Sequence, residues 1–152
     1  METFLVVGLG NPGSRYANTR HNAGTDFVHM LCEKYDVELT EKKKYKASIG
    51  KFQLKDMEVI LSIPTLFMNQ SGKSVAPTVK GENIKLKNLL VVHDDLDLPP
   101  GVSKLKFSGG DGGHNGLKDI MQSLSGKKDF KRLRIGIGLS LIHISEPTRL
   151  RR

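Results

Sequence analysis

Hydrophobic and polar positions along this chain fall into blocks whose period changes, and each change marks an element. Phe4 to Val7 is an unbroken, half β-branched apolar run, the mark of a strand buried on both faces. Gly8, Gly10, Pro12 and Gly13 stop it and open a polar loop. From Ala23 to Tyr35 the period lengthens. Phe27, Leu31 and Tyr35 recur at helical spacing with Val28 and Cys32 beside them, which predicts an amphipathic helix lying on a sheet. Tyr45 to Leu54 mixes Lys46 and Lys51 with Ile49 and Phe52, a strand with one wet face, whereas Met57 to Ile63 is nearly all apolar. The short link Lys55-Asp56 makes these two an antiparallel hairpin, the first lying nearer the sheet edge.

Pro64 ends the hairpin, and TLFMNQSG leads to a helix near Lys73 to Lys80 that Pro77 is expected to kink or to start. Asn88 to His93 is another buried strand, running into Asp94, Asp95 and Asp97 and stopped by Pro99, Pro100 and Gly101. Ser103 to Phe107 alternates Lys104 and Lys106 with Leu105 and Phe107, a second half-wet strand. SGGDGGHNG is too glycine-rich for regular structure; Leu117, Ile120, Met121 and Leu124 then follow at helical spacing, with Asn115 placed to cap that helix near Gly116, to contact a ligand, or both. Arg132 to Gly138 is expected to close the sheet. The economical architecture is a single α/β domain: three layers, α/β/α, around a mixed, mainly parallel twisted sheet with antiparallel edge strands. There is no internal repeat and no linker. Parallel core strands would bring their carboxyl ends to one edge, gathering Asn11, His21, Asn69 and Asp94 there.

Composition narrows the class. At 38% hydrophobic and 26% charged residues the chain is neither disordered nor membranous. No apolar run approaches a bilayer span, and Met1 to Val7 lacks the basic start of a signal peptide, so the expected setting is cytoplasmic, away from membranes. Cys32 is the single cysteine and sits on a helix face, where it reads as a small buried hydrophobe rather than a nucleophile. Charge adds the most. There are 24 Lys+Arg against 16 Asp+Glu, and only three Arg and one Glu fall in 140–152, so a basic excess remains in the body. It concentrates at Lys42, Lys43, Lys44 and Lys46, at Lys104 and Lys106, and at Lys127, Lys128, Lys131, Arg132 and Arg134. Such runs suit an anionic partner such as nucleic acid, although a single run is commonly no more than a solvated face.

A histidine can take a proton from water, and a carboxylate on its other ring nitrogen fixes the tautomer and stabilises the imidazolium. His21 with Asp94 is the candidate pair. Carboxamides offer donors and an acceptor without charge, which suits Asn11, Asn69 and Asn115 to a peptide backbone or a developing oxyanion. No GxSxG is present and Ser71 has no evident base, so water is the expected nucleophile. Two other chemistries fit less well. GLGNPG has the spacing of a dinucleotide fingerprint, yet Pro12 removes an amide from the phosphate cradle and no acidic residue follows at the right distance. His93, Asp94, Asp95 and Asp97 carry metal-ligand groups, but neighbours on a strand point to opposite faces. His29 and His93 read as structural.

VGLGNPGSRYANTRHNAG, PTLFMNQSGK, VVHDDLDLPPG and GGDGGHNGLKDI, in that order and followed by FKRLRIGIG, resemble the bacterial peptidyl-tRNA hydrolases from about Leu5 to Gly138. The resemblance implies hydrolysis of the ester joining a peptide to the 3′ ribose of tRNA, without cofactor or metal, by a monomer that recycles tRNA from aborted translation. It makes His21 the catalytic base and Asp94 the acid that keeps it basic. Asn11 becomes the residue telling a blocked from a free aminoacyl group. Tyr16, Phe67, Asn69 and Asn115 would contact the acceptor end or the peptide, with Met68 packing beside them. Lys104, Lys106 and Arg134 would hold tRNA phosphates. A non-catalytic RNA-binding protein of the same fold is the alternative. The family continues past RIGIG with a further strand and helices, whereas LSLIHISEPTRLRR resembles none of it. The expected boundaries are therefore a hydrolase-like domain at 1–139, incomplete at its end, and an unrelated tail at 140–152, with apolar surface left exposed on the sheet.

Overall fold

A computed structural model describes residues 2–11 and 22–137. Tyr16, His21 and the tail at 140–152 lie outside the described residues. Seven strands form one sheet: β1 (Glu2–Gly8), β2 (Thr40–Lys42), β3 (Ala47–Leu54), β4 (Met57–Pro64), β5 (Leu89–Asp95), β6 (Ser103–Phe107) and β7 (Lys131–Gly136), in the order β2-β3-β4-β1-β5-β7-β6. β4, β1, β5 and β7 run parallel, while β2, β3 and β6 are antiparallel to their neighbours. This is the expected mixed, mainly parallel sheet. Leu54 pairs with Met57 across the Lys55-Asp56 turn, as the hairpin requires.

Alternation along the core strands sorts side chains into two layers. On one face Leu5, Val7, Ile60, Leu89 and Val91 meet Val75 of α2 (Gly72–Gly81) and Leu117 and Ile120 of α3 (Asn115–Ser123). On the other, Val6, Val59 and Leu61 meet Val28 and Leu31 of α1 (Ala23–Tyr35). Tyr35 of α1 stacks on Phe52 of β3 with ring centroids 4.4 Å apart. Cys32 is half-buried in this layer, where desolvation raises its thiol pKa, the behaviour of a packing residue.

Several expectations change. β2 was not foreseen, because its three residues are polar and exposed. Pro77 does not start α2 but sits inside it, and the carbonyl denied its usual donor belongs to exposed Lys73. The N-terminus of α2 is held instead by Asp119 of α3, whose Oδ2 accepts from the Gly72 amide at 2.7 Å. β7 does not close the sheet: β6 lies outside it. β6 is exposed at all five positions, Leu105 by 66% and Phe107 by 56%, so it is wet on both faces.

The first turn of α1 seats directly on the ends of β1 and β5. A Cβ at Gly24 would overlap the Val92 carbonyl oxygen and the Leu9 amide, and one at Gly8 would overlap the Gly24 carbonyl. Gly24→Ala is expected to lift α1 off the sheet and lower the unfolding free energy by roughly 1–3 kcal/mol, read as a fall in the urea midpoint.

Candidate functional site

Because β1, β4 and β5 are parallel, their carboxyl ends share one edge, and a cleft of about 730 Å³ opens there. Asn11 and Met68 line one side, Asp94 and Asp95 the floor, and the Gly110–Asn115 segment with Arg134 and Lys106 the other. Asp94 is 5% exposed, and such a carboxylate needs donors. One is His114, whose Nε2 lies 2.9 Å from Asp94 Oδ1. The other ring nitrogen of His114 accepts from the amides of Gly116 and Leu117 at 3.1 and 3.3 Å and so caps α3. Accepting at Nδ1 places the hydrogen on Nε2, so the ring is the tautomer that donates to Asp94. The cap is thus His114 and not Asn115, which stands exposed at the cleft wall as the first helical residue.

His93 lies beneath, 4% exposed and edge-on to His114 at 4.7 Å. Its Nδ1 is 2.7 Å from the Asp94 carbonyl oxygen, which only accepts, so Nδ1 carries the hydrogen and the buried Nε2 has no hydrogen-bond partner among the described residues. Burial first, and His114 second, push the His93 pKa down to about 4. Asp95 is ionised. Burial opposes this, but the Asp97 amide and the Arg134 guanidinium, 2.7 Å away, outweigh it and hold the carboxyl below its usual range. Arg132, expected among the surface cations, is instead fully buried. Its three donor nitrogens reach the carbonyls of Phe130, Gly110 and Lys128 and fix the base of the glycine loop.

On the opposite wall Asn11 Oδ1 accepts from the Met68 amide at 2.8 Å, so the end of Asn11 presented to a ligand is its NH2. The Asn11 amide in turn donates to Oδ1 of buried Asn22 at 3.2 Å. Phe67 and Asn69 are exposed on the loop beside Met68 and do not line the cleft itself. Lys104 is exposed on β6 in register with Arg134, and Lys106 with buried Arg132. Asn11, Met68, Asp94, Asn115, Lys106 and Arg134 are therefore brought together, with Phe67, Asn69 and Lys104 at the margin. Tyr16 and His21 lie outside the described residues. Sequence reasoning missed His114, Asp95 and Arg132; the first was legible as a histidine where a glycine run meets a helical period.

Among the described residues no group of three or more His, Cys, Asp or Glu side chains is placed to hold a metal ion, and no helix is long and apolar enough to cross a membrane. Fold and site define a three-layer α/β domain with an acid–base cleft at the carboxyl edge of its parallel strands. The family profile described as peptidyl-tRNA hydrolase matches residues 5–146. The peptidyl-tRNA hydrolase of Tolumonas auensis is 55% identical over 134 residues, which cover 88% of this chain and 68% of that protein. That of Pseudomonas putida is 54% identical over the same share of this chain and 69% of its own length. The crystal structure of peptidyl-tRNA hydrolase from Acinetobacter baumannii superposes with a TM-score of 0.86 at 43% identity, covering 96% of this chain and 77% of that one. The chain belongs to the peptidyl-tRNA hydrolase family.

The depressed His93 pKa has a signed consequence. As pH falls below 6.5 the unfolded chain takes up a proton that the folded site refuses, so stability drains between pH 6.5 and about 4. His93→Gln is expected to remove up to about 3 kcal/mol of this acid sensitivity, measured as the difference between the two proteins in unfolding free energy at pH 7 and pH 4.

Proposed function

We propose that the cleft hydrolyses the ester joining a peptide, or an N-blocked aminoacyl group, to the 3′ ribose at the acceptor end of tRNA. The supporting observation is the buried Asp94 at the end of β5, held by His114 and facing the Asn11–Met68 wall across one cleft. His21 is the general base. Its chain neighbour Asn22 is buried, and the Asn22 Oδ1 accepts from the Asn11 amide at this wall. A carboxylate accepts several hydrogen bonds, so a bond from His114 is compatible with a second imidazole at Asp94.

In the proposed sequence His21 takes a proton from water as the oxygen attacks the ester carbonyl carbon. Negative charge develops on the carbonyl oxygen, where carboxamide NH2 groups such as those of Asn11 and Asn115 are suited to receive it. Collapse of the tetrahedral species breaks the bond to the ribose 3′ oxygen, which recovers the proton from the His21 imidazolium. Asp94 orients the ring and stabilises its charged form. Asn11 also suits the carbonyl of a blocked α-amino group, which a free aminoacyl ester lacks. Tyr16, Phe67, Met68 and Asn69 would contact the acceptor end or peptide, and Lys104, Lys106 and Arg134 the phosphates. The proposed enzyme acts as a monomer, in the cytoplasm, where charged tRNA is used. A binder without turnover would have no use for a buried carboxylate aligned by an oriented imidazole.

His21→Ala is expected to lower the release of peptide from N-acetylaminoacyl-tRNA by about 100-fold or more while tRNA still binds. A variant within a few-fold of the parent rate would remove His21 from its role.

A further inference from the structure

Lys42, Lys43, Lys44 and Lys46 fall within five residues on the turn joining β2 to β3, and all four are exposed. The turn is firmly built. The amides of Tyr45 and Lys46 donate to the carbonyls of Lys42 and Lys43 at 3.0 and 3.2 Å, and Lys46 takes a left-handed φ of 51°. Tyr45 anchors it from within, 7% exposed, its hydroxyl donating to Glu82 at 2.6 Å. The Lys44 ammonium lies 4.9 Å over the Tyr45 ring. Glu82 is bonded to Tyr45 and Lys51 and also feels the charge of Lys44, but none of the four turn lysines forms a salt bridge among the described residues. Like charges crowded on an ordered turn are unfavourable without a counter-charge, and they are pre-arranged for one.

Position selects the partner. Ala47 pairs with Pro64, the last residue of β4, and the Thr65 amide donates to the Lys46 carbonyl at 2.9 Å. The turn therefore stands at the same strand ends as the cleft, joined to the loop that carries Phe67 and Met68. β3 lies five strand intervals from β6, roughly 24 Å at about 4.8 Å each, so the turn and the Lys104/Lys106/Arg134 group flank the cleft from opposite sides. A small anion cannot touch both flanks, whereas an extended polyanion can. Between them Phe67, 56% exposed, offers an aromatic face of the kind on which bases stack.

We propose that the Lys42–Lys46 turn is a second phosphate-contacting surface for the body of the tRNA, on the side of the cleft away from Lys104, Lys106 and Arg134. It rests on the hydrolase reading above and extends it from the acceptor end to the rest of the substrate. The test replaces Lys42, Lys43 and Lys44 together by Gln, leaving Lys46 and its backbone alone. Two readouts are compared: the affinity for deacylated full-length tRNA as a function of salt, and turnover of an N-acetylaminoacyl-CCA trinucleotide that has no tRNA body. The triple variant is expected to bind full-length tRNA about tenfold or more weakly, with a log K against log salt slope shallower by about 2. Its turnover of the trinucleotide is expected to match the parent, and a triple Lys→Arg variant to bind as the parent does. Unchanged tRNA affinity and salt slope would overturn the proposal, as would an equal slowing on the trinucleotide. If the parent hydrolyses neither substrate the hydrolase reading fails, and the binding comparison still decides the surface by itself.

Discussion

The hydrogen bond from His114 Nε2 to Asp94 is the contact through which the two halves of the cleft are joined. Asp94 is the next-to-last residue of a central strand and is almost wholly buried, a position costly for a carboxylate without donors. His114 meets that need with one nitrogen while its other holds the first turn of α3. Strand end, helix start and the glycine-rich loop between them are thereby fixed relative to one another. Arg132 reinforces the arrangement from below by capturing the Gly110 carbonyl. Asp111 tightens the loop from within, its carboxylate accepting from the Gly113 amide at 2.8 Å. The loop needs its glycines here, since Gly109, Gly112 and Gly113 all take positive φ.

Sheet topology makes this local arrangement useful. With β4, β1 and β5 parallel, residues from the loops after each strand meet at one edge, and the Asn11 carboxamide bridges two of those loops through the Met68 amide. α1 reaches the same edge because Gly8 and Gly24 let helix and strand touch backbone to backbone. The antiparallel strands set the flanks: β3 brings a basic turn to one side and β6 with β7 a basic pair to the other. Arg134 shares its charge with Asp95, so that flank is positive yet internally tethered.

How far the chain discloses this beforehand follows from what each feature depends on. The buried strands, the hairpin and α1 rest on local periodicity, and Ala23–Tyr35 appears with the bounds its apolar spacing gives. β2 has no apolar residue to announce it, and its pairing with β3 is a tertiary matter. The order of β6 and β7 was hidden for the same reason: alternation of Lys104 and Lys106 with Leu105 and Phe107 signals a strand but not its neighbour. At the site, Asp94 and Asn11 were legible as polar groups where apolar runs give out, although Asp94 proves to lie within β5. His114 was passed over despite its place between a glycine run and a helical period, because Asn115 offered a commoner cap, and only the bond to Asp94 explains the choice. Arg132 looked like a surface cation until three carbonyls were found around its guanidinium.

The family places this chain among enzymes that hydrolyse peptidyl-tRNA, and the proposed mechanism makes Asp94 the link between a rigid scaffold and the proposed base, His21. A double-mutant cycle tests that link directly. His21→Ala, Asp94→Asn and the double variant are compared in kcat/KM on N-acetylaminoacyl-tRNA. If the carboxylate acts through the imidazole, the double variant is expected to be no slower than His21→Ala alone. Losses that multiply would show Asp94 and His21 acting independently and would contradict the account.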